Sequence, residues 1–202
     1  MKKLLFVPVL AFIAFAVSEP STIEKKERKF AKEFLKETKG DLVKSVKGLS
    51  ETQLKFKTAP DRWSVEDCMK HIAAAEMGLR QMLDNGLKQP ATPEKRSEVK
   101  VTDDALIKMI EDRSFKAQAP EQIRPENTAY KTADEALASF KQNRDKLMDY
   151  VKNTKDDLRN HLYELPFGKI DGYQMVLFIS AHSNRHTQQI KEVMNDPNFP
   201  KQ

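Results

Sequence analysis

Three histidines are the residues of this chain whose type and spacing are best suited to chemistry. His182 and His186 are four positions apart, so on a helix their side chains lie on one face, one turn from each other. That spacing suits two nitrogen ligands of a single metal ion, and two hydrogen-bonded core histidines explain it equally well. His71 lies much earlier in the chain and joins the pair only if its helix packs against theirs.

A site with three neutral imidazoles would suit zinc, nickel, copper or ferrous iron. Three protein ligands leave coordination positions open for water or substrate, which is typical of catalytic metal centres, whereas a structural centre has a fourth protein ligand and a closed shell. The fourth histidine, His161, falls in the segment before the last predicted helix. We interpret it as a loop residue outside the site.

Two charged residues interrupt apolar helical stripes and are candidates for roles in the site. Glu76 is a candidate general base that would activate metal-bound water, and the alternative is that it pairs with an arginine. Because it is five positions from His71, its side chain points away from that ring and is not expected to bind the metal. Arg144 lies between Phe140 and Leu147, where it is a candidate substrate-binding residue for an anionic group. It can equally hydrogen-bond to a carboxylate, or extend from the edge of the stripe to solvent.

Three further residues in or beside these stripes have simpler interpretations. The hydroxyl of Thr38 is expected to bond the carbonyl one turn back. The lone cysteine, Cys68, is expected to be a small buried hydrophobe. Trp63 is expected to pack at the entry of its helix. We therefore leave all three outside the predicted site.

The N-terminus has the pattern of a secretory signal. Lys2 and Lys3 precede the uncharged run Leu4–Val17, and small residues follow, which places the cut between Ser18 and Glu19. The run is shorter than the roughly 20 apolar residues that a membrane span needs, which argues against a retained anchor. The sequence therefore predicts a signal peptide over residues 1–18, a mature domain over 19–202, and export to the periplasm or the medium.

The composition excludes several classes of function. The 202 residues are 39% hydrophobic and 32% charged, with a formal net charge of +5 whose two signs are interleaved along the chain. No basic face or tail of the kind that binds nucleic acid is evident. A single cysteine excludes an internal disulfide and a thiolate metal cluster. We expect no nucleic-acid partner and no membrane span after processing, and a homodimer remains open.

Prolines divide the mature chain into long stretches in which helices can run. Apolar spacing and capping residues predict four long helices and a short one. The first covers the stripe from Ile23 to Leu49, the second opens at Ser64, the short one runs from about Asp103 to Phe115, the next is capped by Thr132, and the last runs from Asp171 to about Asn195. This pattern indicates an all-α four-helix bundle, with the short helix in a long connection, 87–131, that lets two neighbouring helices run parallel.

Two motifs resemble those of DinB-like proteins, the bundle family that includes the YfiT-type metal-dependent hydrolases. Arg62–Glu66 (RWSVE), followed by His71, is similar to the opening of the family's second helix, and Ala181–Ile190 (AHSNRHTQQI) to its last-helix motif. The glycine turn Phe167–Tyr173 (FGKIDGY) is also similar. The resemblance spans essentially residues 23–194. The signal segment departs from it, because most relatives are cytoplasmic.

The resemblance implies that His71, His182 and His186 are the ligands of a divalent transition metal, with zinc or nickel first and iron next. It also implies the up-down-down-up order of the bundle and a hydrolase with an unidentified small-molecule substrate, while export is predicted from the signal segment alone. The second candidate activity is that of a metal-dependent thiol S-transferase. Export argues against this activity, because small thiols are chiefly cytoplasmic. A non-catalytic metal-binding or stress-associated bundle, and a partner-binding bundle with a vestigial site, are the further alternatives.

Overall fold

The computed structural model describes residues 23–115 and 118–201, so the predicted signal peptide lies outside the described residues. Six helices and one hairpin form the described part: α1 (Lys25–Val46), α2 (Glu51–Lys55), α3 (Val65–Leu87), α4 (Asp103–Glu111), α5 (Ala133–Asn153), β1 (Leu162–Leu165), β2 (Gly168–Asp171) and α6 (Gly172–Met194). Within these residues, no helix combines the length and the apolar character that crossing a membrane requires.

The helix starts follow the capping residues that the sequence carries. Ser64 opens α3 in a reciprocal capping box with Asp67, and Asp171 opens α6 in the same way with Gln174. The side chain of Thr132 accepts a hydrogen bond from the third residue of α5. The short helix α4 ends at Glu111 rather than at Phe115, because the next residue is extended and its carboxylate accepts the backbone N–H two residues on. The predicted glycine turn contains the second strand of a two-stranded hairpin, in which β1 pairs with β2, and its last two residues begin α6.

Two apolar clusters fix the directions of the four long helices. In the first, Ala31 and Tyr173, early in α1 and α6, pack with Leu83 and Val151, late in α3 and α5. In the second cluster the ends are reversed, since it joins the late parts of α1 and α6 to the early parts of α3 and α5. Helices α1 and α6 therefore point one way and α3 and α5 the other, which confirms the four-helix bundle with up-down-down-up order.

The long crossover follows from that order. Helices α3 and α5 are parallel neighbours, so the chain must travel the length of the bundle between them, and residues 88–132 do so. Helix α4 lies within this crossover and packs mainly on the outer side of α6. Two short 3-10 turns, Glu121–Ile123 and Pro125–Asn127, pack on α3. The crossover thus brings backbone close to the face where α3 meets α6.

A buried ion pair joins the long helices between the two apolar clusters. Arg144 of α5 is 0% exposed, and its Nε and Nη2 donate to the two carboxylate oxygens of Glu76 on α3 at 2.6 and 2.7 Å. Its Nη1 donates to the Thr38 hydroxyl at 2.7 Å and to the Leu35 carbonyl at 3.1 Å, both on α1. Nη2 also donates to the Ser183 hydroxyl on α6 at 2.8 Å. A guanidinium has five N–H donors, and here every one has an acceptor.

This geometry corrects two hypotheses drawn from the sequence. Arg144 neither reaches solvent nor offers a free donor to an anionic substrate, and the carboxylate of Glu76 is bound on both oxygens by that arginine. The substrate-binding role of Arg144 and the general-base role of Glu76 are therefore replaced by a structural one, the pairing that the sequence left open. Thr38 does bond the carbonyl of Phe34, one turn back, at 2.9 Å.

Replacing Arg144 with Leu should strongly destabilise the bundle, because it leaves the Glu76 carboxylate buried without its partner. Breaking a buried pair in this way typically costs about 3–5 kcal/mol, whereas replacing both members with apolar residues costs far less. Urea unfolding followed by circular dichroism should therefore show a large loss of unfolding free energy for Arg144→Leu. The double variant Arg144→Leu with Glu76→Leu should recover part of that free energy. Glu51→Gln, which breaks a solvent-exposed pair, is the control and should leave the midpoint unchanged. A single variant as stable as the wild type would contradict this role.

Candidate metal centre

The three histidines meet where α3 and α6 pack in opposite directions. His71 lies two turns into α3, and His182 and His186 lie in the middle part of α6. One ligand nitrogen from each ring can be chosen so that all three atoms lie within 4.8 Å of one another. The Nε2 atoms of His71 and His182 are 3.3 Å apart. The structure thus brings together the three residues that the sequence singled out.

The nitrogen separation fits the ligand shell of a small divalent ion. Two imidazole nitrogens that bind one ion at 2.0–2.1 Å with tetrahedral angles lie about 3.3–3.4 Å apart. The His71–His182 distance of 3.3 Å matches this value. The donor set, three imidazoles, is also one that zinc, nickel and ferrous iron accept. The residues present therefore fit a divalent transition metal.

Hydrogen bonds select the tautomers that a metal site needs. The Nδ1 of His71 lies 2.8 Å from the carbonyl oxygen of Ile123, which can only accept a hydrogen bond, so the proton is on Nδ1. The Nδ1 of His186 is 2.9 Å from the side-chain oxygen of Gln189 and carries the proton for the same reason. In both rings the lone pair is left on Nε2. Such partners orient ligating histidines and raise their basicity as ligands.

The surroundings keep the imidazoles neutral. Burial, with a smaller contribution from the neighbouring His71 and Arg185, lowers the pKa of His182 to about 3. Burial followed by the two other rings holds the pKa of His186 well below its usual value. Burial also lowers the pKa of His71, against the opposing effect of its bond to Ile123. Neutral imidazole is the form that binds metal.

The ligand set is open on one side. Among residues 23–115 and 118–201, no fourth histidine, cysteine or acidic residue joins the group. His71 and His186 are buried at 2% and 8% exposure, while His182 is partly exposed. Cys68 is fully buried and lies outside the group, and burial raises the pKa of its thiol, as expected for a small core residue. The arrangement is therefore the open one that characterises catalytic metal centres.

Three contributors to this site were not predicted from the sequence. The ring of Trp63 lies 4.8 Å from that of His71 and 5.8 Å from that of His186, between centroids, so it covers one side of the site in addition to packing at the helix entry. Gln189 is three residues after His186, a spacing that brings side chains together on a helix and could have indicated the contact. The Ile123 carbonyl is a backbone group, for which side-chain type gives no signal.

The fourth histidine is in the loop before β1, where the sequence placed it. The ring nitrogens of His161 lie 2.7 Å from the carbonyl oxygen of Asp157 and 3.0 Å from that of Gln89. It takes no part in the histidine group. It is therefore a useful control residue for experiments on the other three.

Fold and site together define a class: a four-helix bundle with up-down-down-up order and an open three-histidine ligand set between its antiparallel helices. Comparison with known families agrees, because the model of the DinB superfamily matches residues 35–190. That range includes all three histidines. The chain belongs to the DinB superfamily.

Two relatives from Bacillus subtilis are similar over most of their length. The uncharacterized protein YuaE of strain 168 is 24% identical over 149 residues, which cover 73% of this chain and 87% of YuaE. The structure of YfiT, described as a probable metal-dependent hydrolase with an unusual four-helix bundle topology, aligns with a TM-score of 0.60. That alignment covers 89% of this chain and 92% of YfiT at 15% sequence identity, so it shows the shared fold.

Removing the amide of Gln189 should change the tautomer of one histidine alone. Nitrogen-15 NMR of histidine-labelled protein should show His71 and His186 protonated on Nδ1, and Gln189→Leu should remove that preference at His186 only, since Ile123 still holds His71. Gln188→Leu changes the neighbouring residue and is the matched control. Identical His186 nitrogen shifts in wild type and Gln189→Leu would show that the amide does not set the tautomer.

Proposed function

We propose that this protein is an exported metal-dependent hydrolase of a small-molecule substrate, with a divalent transition ion held by His71, His182 and His186. The observation that carries the proposal is the open ligand set: three histidine nitrogens within 4.8 Å of one another, and no fourth protein ligand in the described chain. His182, the one partly exposed residue of the three, marks the side from which a substrate approaches. The description of YfiT as a probable metal-dependent hydrolase supports the same chemistry.

The residues of the chain prepare the site before any substrate arrives. The Nε2 atoms of His71 and His186 keep their lone pairs because Ile123 and Gln189 hold the protons on the opposite nitrogens, and the Nε2 of His71 faces that of His182. Trp63 covers the rings on one side and limits the entry of water there. When bound, a divalent ion acts as a Lewis acid that polarises the bond under attack and lowers the pKa of water towards neutrality. The protein thus supplies position, tautomer and partial exclusion of solvent.

The open shell favours this proposal over a purely structural ion. A structural site closes its coordination with a fourth protein ligand and contributes mainly to folding free energy. Here the core already has two apolar clusters and the Arg144–Glu76 pair, so the bundle has other sources of stability. The histidine group lies instead between α3 and α6, where His71 and His186 are buried and His182 is partly exposed.

Metal content of the untagged chain from Glu19 tests the ligand set. Elemental mass spectrometry after incubation with zinc, nickel or ferrous iron should find about one ion per chain in the wild type, as expected for a single three-histidine centre. The variants His71→Ala and His182→Ala should each lose the bound ion, because two imidazoles bind a divalent ion far more weakly than three. His161→Ala should bind like the wild type. A wild type that remains metal-free, or triad variants that bind fully, would contradict the site.

A substrate screen tests the reaction itself. Metal-loaded protein, assayed against a panel of esters, amides and phosphoesters, should hydrolyse at least one class. Removing the ion with a chelator or by His182→Ala should lower kcat/KM by about a hundredfold or more, since Lewis-acid catalysis contributes several kcal/mol to the transition state. Hydrolysis at the same rate in the chelated protein would assign the reaction to other residues.

Export is tested by the N-terminus of the protein made in a bacterial host. The chain recovered from the periplasm or the medium should begin at Glu19, and Leu10→Arg should retain it in the cytoplasm, because a charge interrupts the apolar run that the export machinery recognises. Leu10→Val keeps the run apolar and should be exported normally. A wild type found uncut in the cytoplasm would contradict the proposal.

A further inference from the structure

A row of aromatic rings leads from the surface of the bundle to the histidine group. Phe167, at the turn of the hairpin, is 41% exposed and makes an edge-to-face contact with Phe178 of α6, with ring centroids 5.6 Å apart. Phe178 makes a second edge-to-face contact with His182, at 6.0 Å. His182 in turn lies 4.7 and 5.1 Å from the other two histidine rings. The candidate metal centre is therefore continuous with partly exposed apolar surface.

The row lies on a partly exposed strip of α6 between its contacts with α3 and α4, and we call this strip the cleft. Both helices pack on α6, and the end of α4 is bonded to it through Asn184, which donates to Glu111 at 2.8 Å, and through Arg185, which donates to the Ile110 carbonyl at 3.2 Å. Phe178 and His182 are one turn apart on a single face of α6, Asn184 lies on another side of the helix, and Arg185 lies at the margin of the Phe178 face. Their strip of α6 is thus left between the two flanking helices, and both side chains are only partly buried.

The wall of the cleft on α3 carries small or apolar residues. Ala75, Gly78 and Met82 follow His71 at the spacings that continue its face of the helix. Gly78 is exposed, and a Cβ added there would meet no described atom within 4 Å. Met82 is 42% exposed, although it is a large apolar side chain. The wall is therefore apolar and open at Gly78 and Met82, whereas Ala75, one turn from His71, is buried.

We infer that the substrate of this site carries an apolar chain or ring next to the bond that reaches the metal, and that Phe178 and Phe167 bind it. The inference rests on the proposed function, because the ion anchors the reacting end. Exposed apolar surface continuous with a polar centre is the usual form of a small-molecule site, where apolar walls supply affinity and a few polar groups supply orientation. The fit is to small amphipathic molecules such as acyl or aryl esters and amides.

A series of hydroxamic acids tests this inference without requiring the natural substrate. The hydroxamate group binds the metal, and the alkyl chain extends along the cleft. Isothermal titration of the zinc-loaded chain from Glu19, which includes the whole bundle, with aceto-, butyro- and hexanohydroxamic acid should show affinity rising with length. The affinity is expected to rise about two- to fourfold for each added methylene group, and the upper value corresponds to complete burial of that group.

Variants assign that dependence to the cleft. Phe178→Ala and Phe167→Ala should each reduce the gain per methylene and leave the affinity for acetohydroxamic acid nearly unchanged. Gly78→Glu, at an exposed helical position where glutamate is favourable, should do the same by placing a charge on the wall. Phe30→Ala removes a ring that is 43% exposed on α1 and should retain the full dependence on length. Circular dichroism of each variant checks that the bundle is intact.

The outcomes separate this inference from the proposed function. Acetohydroxamic acid that binds with no increase along the series would overturn the apolar cleft and leave the metal centre standing. A dependence on length that persists in folded Phe178→Ala, Phe167→Ala and Gly78→Glu would place the chain elsewhere and also overturn the inference. Protein that binds no zinc would overturn the proposed function, and the cleft inference would fail with it.

Discussion

The Arg144–Glu76 pair is the interaction on which the register of the bundle depends. Two opposite charges in an apolar core are tolerated only if each hydrogen-bonding position finds a partner, and here the acceptors come from α1, α3 and α6. A shift of any of these helices along its axis would leave at least one donor of the guanidinium without an acceptor. The apolar clusters on either side would tolerate such a shift far better, because apolar contacts are not directional.

The same register sets the geometry of the histidine group. Ser183, which accepts from Arg144, is next to His182 in the sequence, and Glu76 is five residues after His71. Locking Glu76 and Ser183 to one arginine therefore fixes the level at which α3 and α6 face each other, and with it the separation of the histidine nitrogens. The crossover completes the site. It exists because α3 and α5 run parallel, and it brings the Ile123 carbonyl to His71 and Arg113 to Gln189.

Much of the fold follows from local signals in the sequence. Ser64, Thr132 and Asp171 mark helix starts through short-range hydrogen bonds, so a single sequence predicts them well. The pair His182 and His186 was also predictable, because two polar rings in the centre of an apolar face need an explanation, and the family resemblance added His71. The up-down-down-up order came from the resemblance of two motifs to DinB-like proteins. The spacing of apolar residues is equally compatible with other orders.

The remaining features depend on contacts between distant residues. The sequence left Arg144 with three alternatives, since its partners Glu76 and Ser183 lie on other helices and only the packed bundle selects among them. Trp63 precedes its helix and gives no sign in the sequence that it reaches both His71 and His186. The row from Phe167 to His182 likewise joins the hairpin to α6 through space. These non-local contacts are the ones that turn a set of histidines into a site covered on one side and open on another.

X-ray absorption at the zinc edge of the metal-loaded protein tests the central claim most directly, because it counts the ligands by type. We predict a shell with three imidazole nitrogens, completed by oxygen, and with no sulfur, since Cys68 is fully buried outside the group. Loss of an imidazole contribution in His182→Ala would assign that ligand. A shell with sulfur, or with fewer than three imidazoles in the wild type, would contradict the three-histidine centre between α3 and α6.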